Sequence, residues 1–236
     1  MIDELVNVFG HDVVFSTSFD YMLNEDDCIK IYSILNKYLF NNKLKMIEIH
    51  CWPEDKIVER LNANKLNSDY DDKAPRIDAP CYGVASGICK CVKDSSGKLV
   101  DIDILDDVIM MNVSRLTACT FIFAVACICH EMIHYYDSMT RQYHDNYVEA
   151  SVNGSNFDSH EDDAFVQKSD EAAEHGIDIE KDLSWSTYEN TNRKARCFLH
   201  QRIGESEDDG INVFDNGHTL IISNMKTDIS FFAHFD

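Results

Sequence analysis

Proline and glycine are scarce, at 3 and 9 of 236 residues, while apolar residues make up 44% and aromatic residues 11%. That balance excludes the poorly apolar composition of a disordered chain and leaves enough material for a sizeable core. Basic residues are also few. Lys and Arg number 21 against 42 Asp and Glu, a formal charge of −21, which repels phosphate backbones and anionic membranes. Direct nucleic-acid binding across the surface is therefore not expected, although one local basic patch stays open. No apolar run approaches the roughly 20 residues that span a bilayer. The longest lies between Leu116 and Cys129, is interrupted by Thr117 and Thr120, and reads as a buried helix. The nine cysteines (28, 51, 81, 89, 91, 119, 127, 129 and 197) contain no C-x-x-C pair. Met1 to Leu5 carries acidic residues where a secretory signal carries positive charge. Reduced thiols in the cytoplasm or another reducing intracellular compartment are the expectation.

Apolar residues recur at helical spacing over Asp26 to Phe40, until Asn41-Asn42 interrupts them, and alternate at strand period over Lys45 to Trp52. Residues 61 to 80 show neither period and read as a loop. The runs Ile88 to Val92 and Leu99 to Ile104 flank a turn signal at 93–98 and predict a hairpin, with Val108 to Val113 as a further short strand. Helices are expected over Thr117 to Met139 and Ser159 to Gly176, the second stopped by its glycine. Ile211 to Phe214 and His218 to Ile222 flank Asp215-Asn216-Gly217 and predict a C-terminal hairpin. The apolar run Ile229 to Phe235 fits either a final strand or a peptide that docks a partner. The expected fold class is α+β: a small antiparallel or mixed sheet on a central helix and the helix after it, with a β-hairpin extension. The expected division is an N-terminal segment 1–27, a main domain 28–182 and an extension 183–236.

One pattern carries chemistry. His130-Glu131-Met132-Ile133-His134 is an H-E-x-x-H motif inside the most strongly helical segment. Residues four apart stack on one helix face, so both imidazoles can reach one zinc ion at about 2.0 to 2.1 Å. Glu131, one step round the helix, can take a proton from a metal-activated water and pass it to a leaving amine. A random chain of this length and composition contains the pattern on the order of 2% of the time, and less often on a helix. Two histidines and a glutamate on a buried face would otherwise each need a polar partner.

A catalytic zinc takes a third protein ligand and keeps one position open. His160, opening the next expected helix, is the leading candidate; Glu149, Glu171, His144, His175 and Asp158 remain alternatives. Tyr135, Tyr143, His144 and Tyr147 are within reach in sequence as oxyanion donors, though tyrosines at such positions are more often packed side chains. Cys89 with Cys91, and Cys127 with Cys129, read as core thiols.

These residues resemble the SprT-like zinc metalloproteases, which include bacterial SprT proteins and the protease domain of the repair enzyme Spartan. Ile34 to Leu44 is similar to that family's first helix and its Phe-x-x-x-Leu turn. Tyr82-Gly83-Val84-Ala85 and Ile109-Met110-Met111-Asn112 resemble its later strands, and His130 to Asp137 its active helix. Ser159-His160-Glu161-Asp162-Asp163-Ala164-Phe165 resembles its His-Gly-x-x-Phe segment, with Glu161 where many relatives have Gly. The resemblance covers roughly residues 28 to 180. It implies that His130, His134 and His160 bind zinc and that Glu131 is the catalytic base. No C-x-x-C zinc ribbon follows, and the charge of −21 argues against carrying over a DNA-linked substrate.

The leading expectation is a zinc metalloendopeptidase acting on a protein substrate. The alternative is a non-catalytic SprT-like protein with structural zinc, docking a basic protein partner through its acidic surface; nucleic-acid mimicry by that surface is a third reading.

Overall fold

The computed structural model describes residues 1–66, 82–97, 99–139, 163–179, 204–206, 211–215, 219–224 and 229–235. Its elements run α1 (Ile2–Phe9), α2 (His11–Val14), α3 (Glu25–Leu39), β1 (Glu48–Trp52), α4 (Glu54–Leu66), β2 (Gly83–Lys93), β3 (Leu99–Asn112), α5 (Phe121–Ser138), α6 (Asp163–Glu174), β4 (Gly204–Ser206), β5 (Ile211–Asp215), β6 (Thr219–Asn224) and β7 (Ile229–Phe235). The α+β class is as expected. No helix among the described residues is long and apolar enough to cross a membrane.

Helix α3 starts where Asn24 accepts the Asp27 N–H at 3.0 Å, with Glu25, Asp26 and Asp27 at the positive end of its dipole. It buries Cys28, Ile31, Tyr32, Leu35 and Leu39 along one face. Asn41 and Asn42 end it by taking φ of 53° and 57°, a left-handed conformation that asparagine tolerates better than most residues. Buried Asn36 then holds the returning chain. It donates to the Leu44 carbonyl at 2.8 Å and accepts the Leu44 N–H at 3.2 Å.

Among the described residues seven strands form one sheet in the order β1-β3-β2-β7-β6-β5-β4, larger than the small sheet expected. β1 runs parallel to β3, and the other pairings are antiparallel. Val108 to Val113, expected as a separate strand, instead continues the hairpin arm as the end of a 14-residue β3 that stops at Asn112. Its register against β2 shifts between Ile88 and Cys89, so a bulge bends one long strand where the periodicity suggested two. β5 and β6 form the expected C-terminal hairpin, and Ile229 to Phe235 is a strand paired with both β2 and β6.

Helix α4 departs from the expected loop at residues 61 to 80, whose first six residues complete it; 67–80 lie outside the described residues. Its apolar stripe is thin, with Ile57 and Leu61 fully buried on a helix that is mostly polar. The sheet supplies the rest of its stability. Strand alternation explains the layering. Ile109, Met111 and Ala85 join the core shared with α3 and α5, while Val108, Met110 and Val84 are buried but lie outside it. α4 packs against β3 and β7. Thus the stretch from Val108 to Met111 in β3, with Val84 and Ala85 in β2, is buried on both faces.

Helix α5 is capped by Thr120, whose hydroxyl accepts the Phe123 N–H at 3.2 Å. Nearly every residue from Phe121 to Ser138 is buried, as in a central helix apolar all round. It packs against β2, β3, α3 and α6.

Candidate functional site

His130, Glu131 and His134 are 0%, 0% and 1% exposed, on the side of α5 that meets β2 and α6. The two imidazoles face one another with Nε2 atoms 2.9 Å apart and rings crossed at 69°. Between neutral rings one N–H donates to the other nitrogen, the tautomers setting which. A tetrahedral ion bound at about 2.0 to 2.1 Å would hold two such nitrogens roughly 3.3 Å apart. The observed separation is a few tenths of an ångström shorter, so this donor pair fits a zinc ion with little movement.

Glu131 is positioned by the sheet. An ideal Cβ built on Gly83 would lie 2.7 Å from Glu131 Oε1, 2.8 Å from Cγ and 3.0 Å from Cδ. A side chain there would have to displace the Glu131 carboxylate or the strand. Gly83 pairs with Met111, and Ala85 with Ile109, so alternation turns the Gly83 position toward the α5 side of the sheet. The resemblance included Gly83 within a strand, but its role as the surface against which Glu131 lies was not legible from one chain.

Helix α6 closes the other side. The ring of buried Phe165 lies 5.2 Å from that of His130 and 5.0 Å from that of His134. Lys168 anchors the helix: its ammonium donates to the Leu39 carbonyl at 2.7 Å, at the negative end of the α3 dipole. The amine also lies 5.6 Å from the ring centres of Phe40 and Tyr136. Asp137 is fully buried, and seven residues after His130 it shares that face of α5 by helical geometry.

His160, His144, Glu149 and Asp158 lie outside the described residues, as do Tyr143 and Tyr147. Among the described residues no three His, Cys, Asp or Glu side chains form a metal-holding group. Glu171 accepts from Gln167 at 2.9 Å and pairs with Lys168, and exposed His175 stands edge-on to Tyr38. Neither joins the histidine pair. Tyr135 is buried, and burial followed by the Asp107 charge pushes its phenol up to about 12. Its neighbourhood is thus β3, which makes it a packed tyrosine. Burial, then the adjacent Asp106 charge, pushes Asp107 up to about 7, with Lys45 opposing. Cys127 and Cys129 are fully buried, as core thiols should be; the side chains of Cys89 and Cys91 are outside the description.

No family model, curated protein or solved structure matches this chain.

Proposed function

We propose that the chain is a SprT-like zinc metalloendopeptidase, with His130 and His134 as two metal ligands, His160 as the third and Glu131 as general base. The observation that carries the reading is the convergence of the two Nε2 atoms at 2.9 Å beside a fully buried glutamate. Such a site is costly as a mere packing arrangement, because each buried polar group must find a partner. Zinc, when bound, supplies Lewis-acid polarisation of a peptide carbonyl and lowers the pKa of water.

The remaining chemistry belongs to the chain. Glu131 takes the proton of the attacking water on a carboxylate oxygen and returns it to the leaving amine as the C–N bond breaks. The wall at Gly83 restricts where that carboxylate can lie, so less freedom is lost when it acts. Phe165 and the surrounding core keep bulk water from the imidazoles, which strengthens electrostatic interactions in the site.

The charge of −21 favours a second reading: structural zinc in a protein that docks a basic partner through its acidic surface. The two differ in their need for Glu131. The experiment measures zinc per chain by elemental analysis, for wild type and for His130→Ala and His160→Ala, together with cleavage of unfolded protein substrates by wild type and Glu131→Gln. Near one zinc in wild type, loss in both histidine variants, and cleavage abolished in Glu131→Gln with zinc retained are expected. Zinc without cleavage selects the structural reading, and well-folded wild type that takes up no added zinc overturns both.

A further inference from the structure

Two cysteines that the metal site does not use stand with their sulfurs in contact. Cys28, in the first turn of α3, and Cys51, in β1, have Sγ atoms 3.5 Å apart. Cys28 is fully buried and Cys51 is partly exposed. The two elements are held in register by other bonds: the Cys51 N–H donates to Glu25 Oε1 at 3.2 Å, and the same carboxylate oxygen lies 3.2 Å from His50 Nδ1. The sulfurs therefore meet across a joint that does not depend on them. A disulfide needs about 2.05 Å between sulfurs, so closure takes roughly 1.5 Å of movement shared by two side chains.

We propose that Cys28 and Cys51 form a reversible disulfide site oxidised by hydrogen peroxide or another small uncharged peroxide. Cys51 meets the oxidant because it alone of the two reaches solvent. Cys51 gives up its proton, its thiolate attacks a peroxide oxygen, the O–O bond breaks, and a sulfenic acid forms on Cys51 as hydroxide or alkoxide leaves and takes up that proton to become water or an alcohol. The Cys28 sulfur then attacks the Cys51 sulfur; the S–O bond breaks, the hydroxide takes the Cys28 proton, and water departs as the S–S bond forms. Two thiols lose two electrons and the peroxide gains them. The hydrogen bond with Cys51 and burial hold the Cys28 thiol well above its ordinary range, so Cys28 does not meet the oxidant first; its part in the second step rests on the 3.5 Å between the sulfurs.

Charge selects the oxidant. Glu25 and Asp27 both bear on Cys28, and Glu25 bonds the Cys51 backbone, so an anionic disulfide such as oxidised glutathione is repelled where a neutral peroxide is not. Cys119 and Cys129, buried away from this pair, behave differently. Cys119 donates to the Tyr21 carbonyl at 3.6 Å and is pushed up to about 11 by burial; Cys129 is fully buried in α5. These should stay reduced.

The test treats the full chain with hydrogen peroxide or with oxidised glutathione and maps its peptides by mass spectrometry without reduction. The expected main product of the peroxide arm joins the peptides carrying residues 28 and 51, is reversed by dithiothreitol, and is absent from Cys51→Ser. The linked protein should melt roughly 5 to 10 °C higher, because the bridge constrains the unfolded chain. Sulfinic acid on Cys51 without a bridge, a bridge from Cys51 to another cysteine, or equal bridging by oxidised glutathione would overturn the proposal. Wild type alone decides it, whether or not a Cys28 variant folds, and zinc content plays no part.

Discussion

A Cβ on Gly83 would stand 2.7 Å from Oε1 of Glu131. The contact runs between a strand of the sheet and the middle of α5, so the Gly83 backbone bounds the space open to the glutamate on that side. Gly83→Ala must push the carboxylate or the strand aside. The expected outcome is an overpacking cost of about 1 to 3 kcal/mol and at least a tenfold loss of peptide cleavage, with zinc content unchanged because both histidines keep their places. Thermal melting, elemental analysis and a cleavage assay on one preparation check all three. Unaltered cleavage in a folded variant would show that the placement of Glu131 is not needed.

Removing metal should destabilise the wild type specifically. If zinc is bound with free zinc about 1,000-fold above Kd, binding adds about 4 kcal/mol to the folded state, and a chelator should lower Tm on the order of 10 °C. The double variant His130→Ala/His134→Ala should melt at the same temperature with and without chelator. Scanning fluorimetry with a zinc add-back arm makes the comparison.

Phe165 touches both imidazoles and is fully buried. Phe165→Ala should cost about 3 to 5 kcal/mol, as for other buried aromatics. It should also reduce zinc retention during dialysis, because the ring that fixes both imidazoles is gone. Phe165→Leu, which keeps most of the volume, should recover much of both, as denaturant unfolding and metal analysis will show.

Asp107 carries a pH dependence whose sign is opposite to that of a salt-bridged carboxylate. Its folded pKa of about 7 lies above the ordinary value of about 3.9. Between those values the folded state binds more protons than the unfolded state, so this residue's contribution to stability falls as pH rises from about 4 to about 7 and is level beyond. Asp107→Asn should melt close to wild type near pH 4 and above it at pH 7 and higher. Paired melting curves across that range test the difference; a gap that does not grow with pH would contradict the assignment.

Much of the fold is legible from local chemistry. The i, i+4 spacing of His130 and His134 needs only a helix to bring two imidazoles together, and the apolar run between Leu116 and Cys129 predicts one. Asn41 and Asn42 stop α3 because their short polar side chains accept positive φ. Helix α4 is not legible in the sequence because Ile57 and Leu61 make too thin a buried stripe for periodicity to register; packing against β3 and β7 makes up for it. The length of β3 is not legible either, because a bulge breaks its apparent period.

By itself, then, the sequence determined the α+β class, the central helix and the pairing of two histidines around a glutamate, since all of these follow from spacings of a few residues. Only the tertiary structure decided that β7 lies beside β2, that Gly83 backs Glu131, that Phe165 covers both imidazoles, and that Cys28 meets Cys51. Each joins residues 23 or more apart in the chain. No local propensity encodes such a meeting; it arises when the buried faces of separate elements share one core and the backbone must pass wherever that core leaves room.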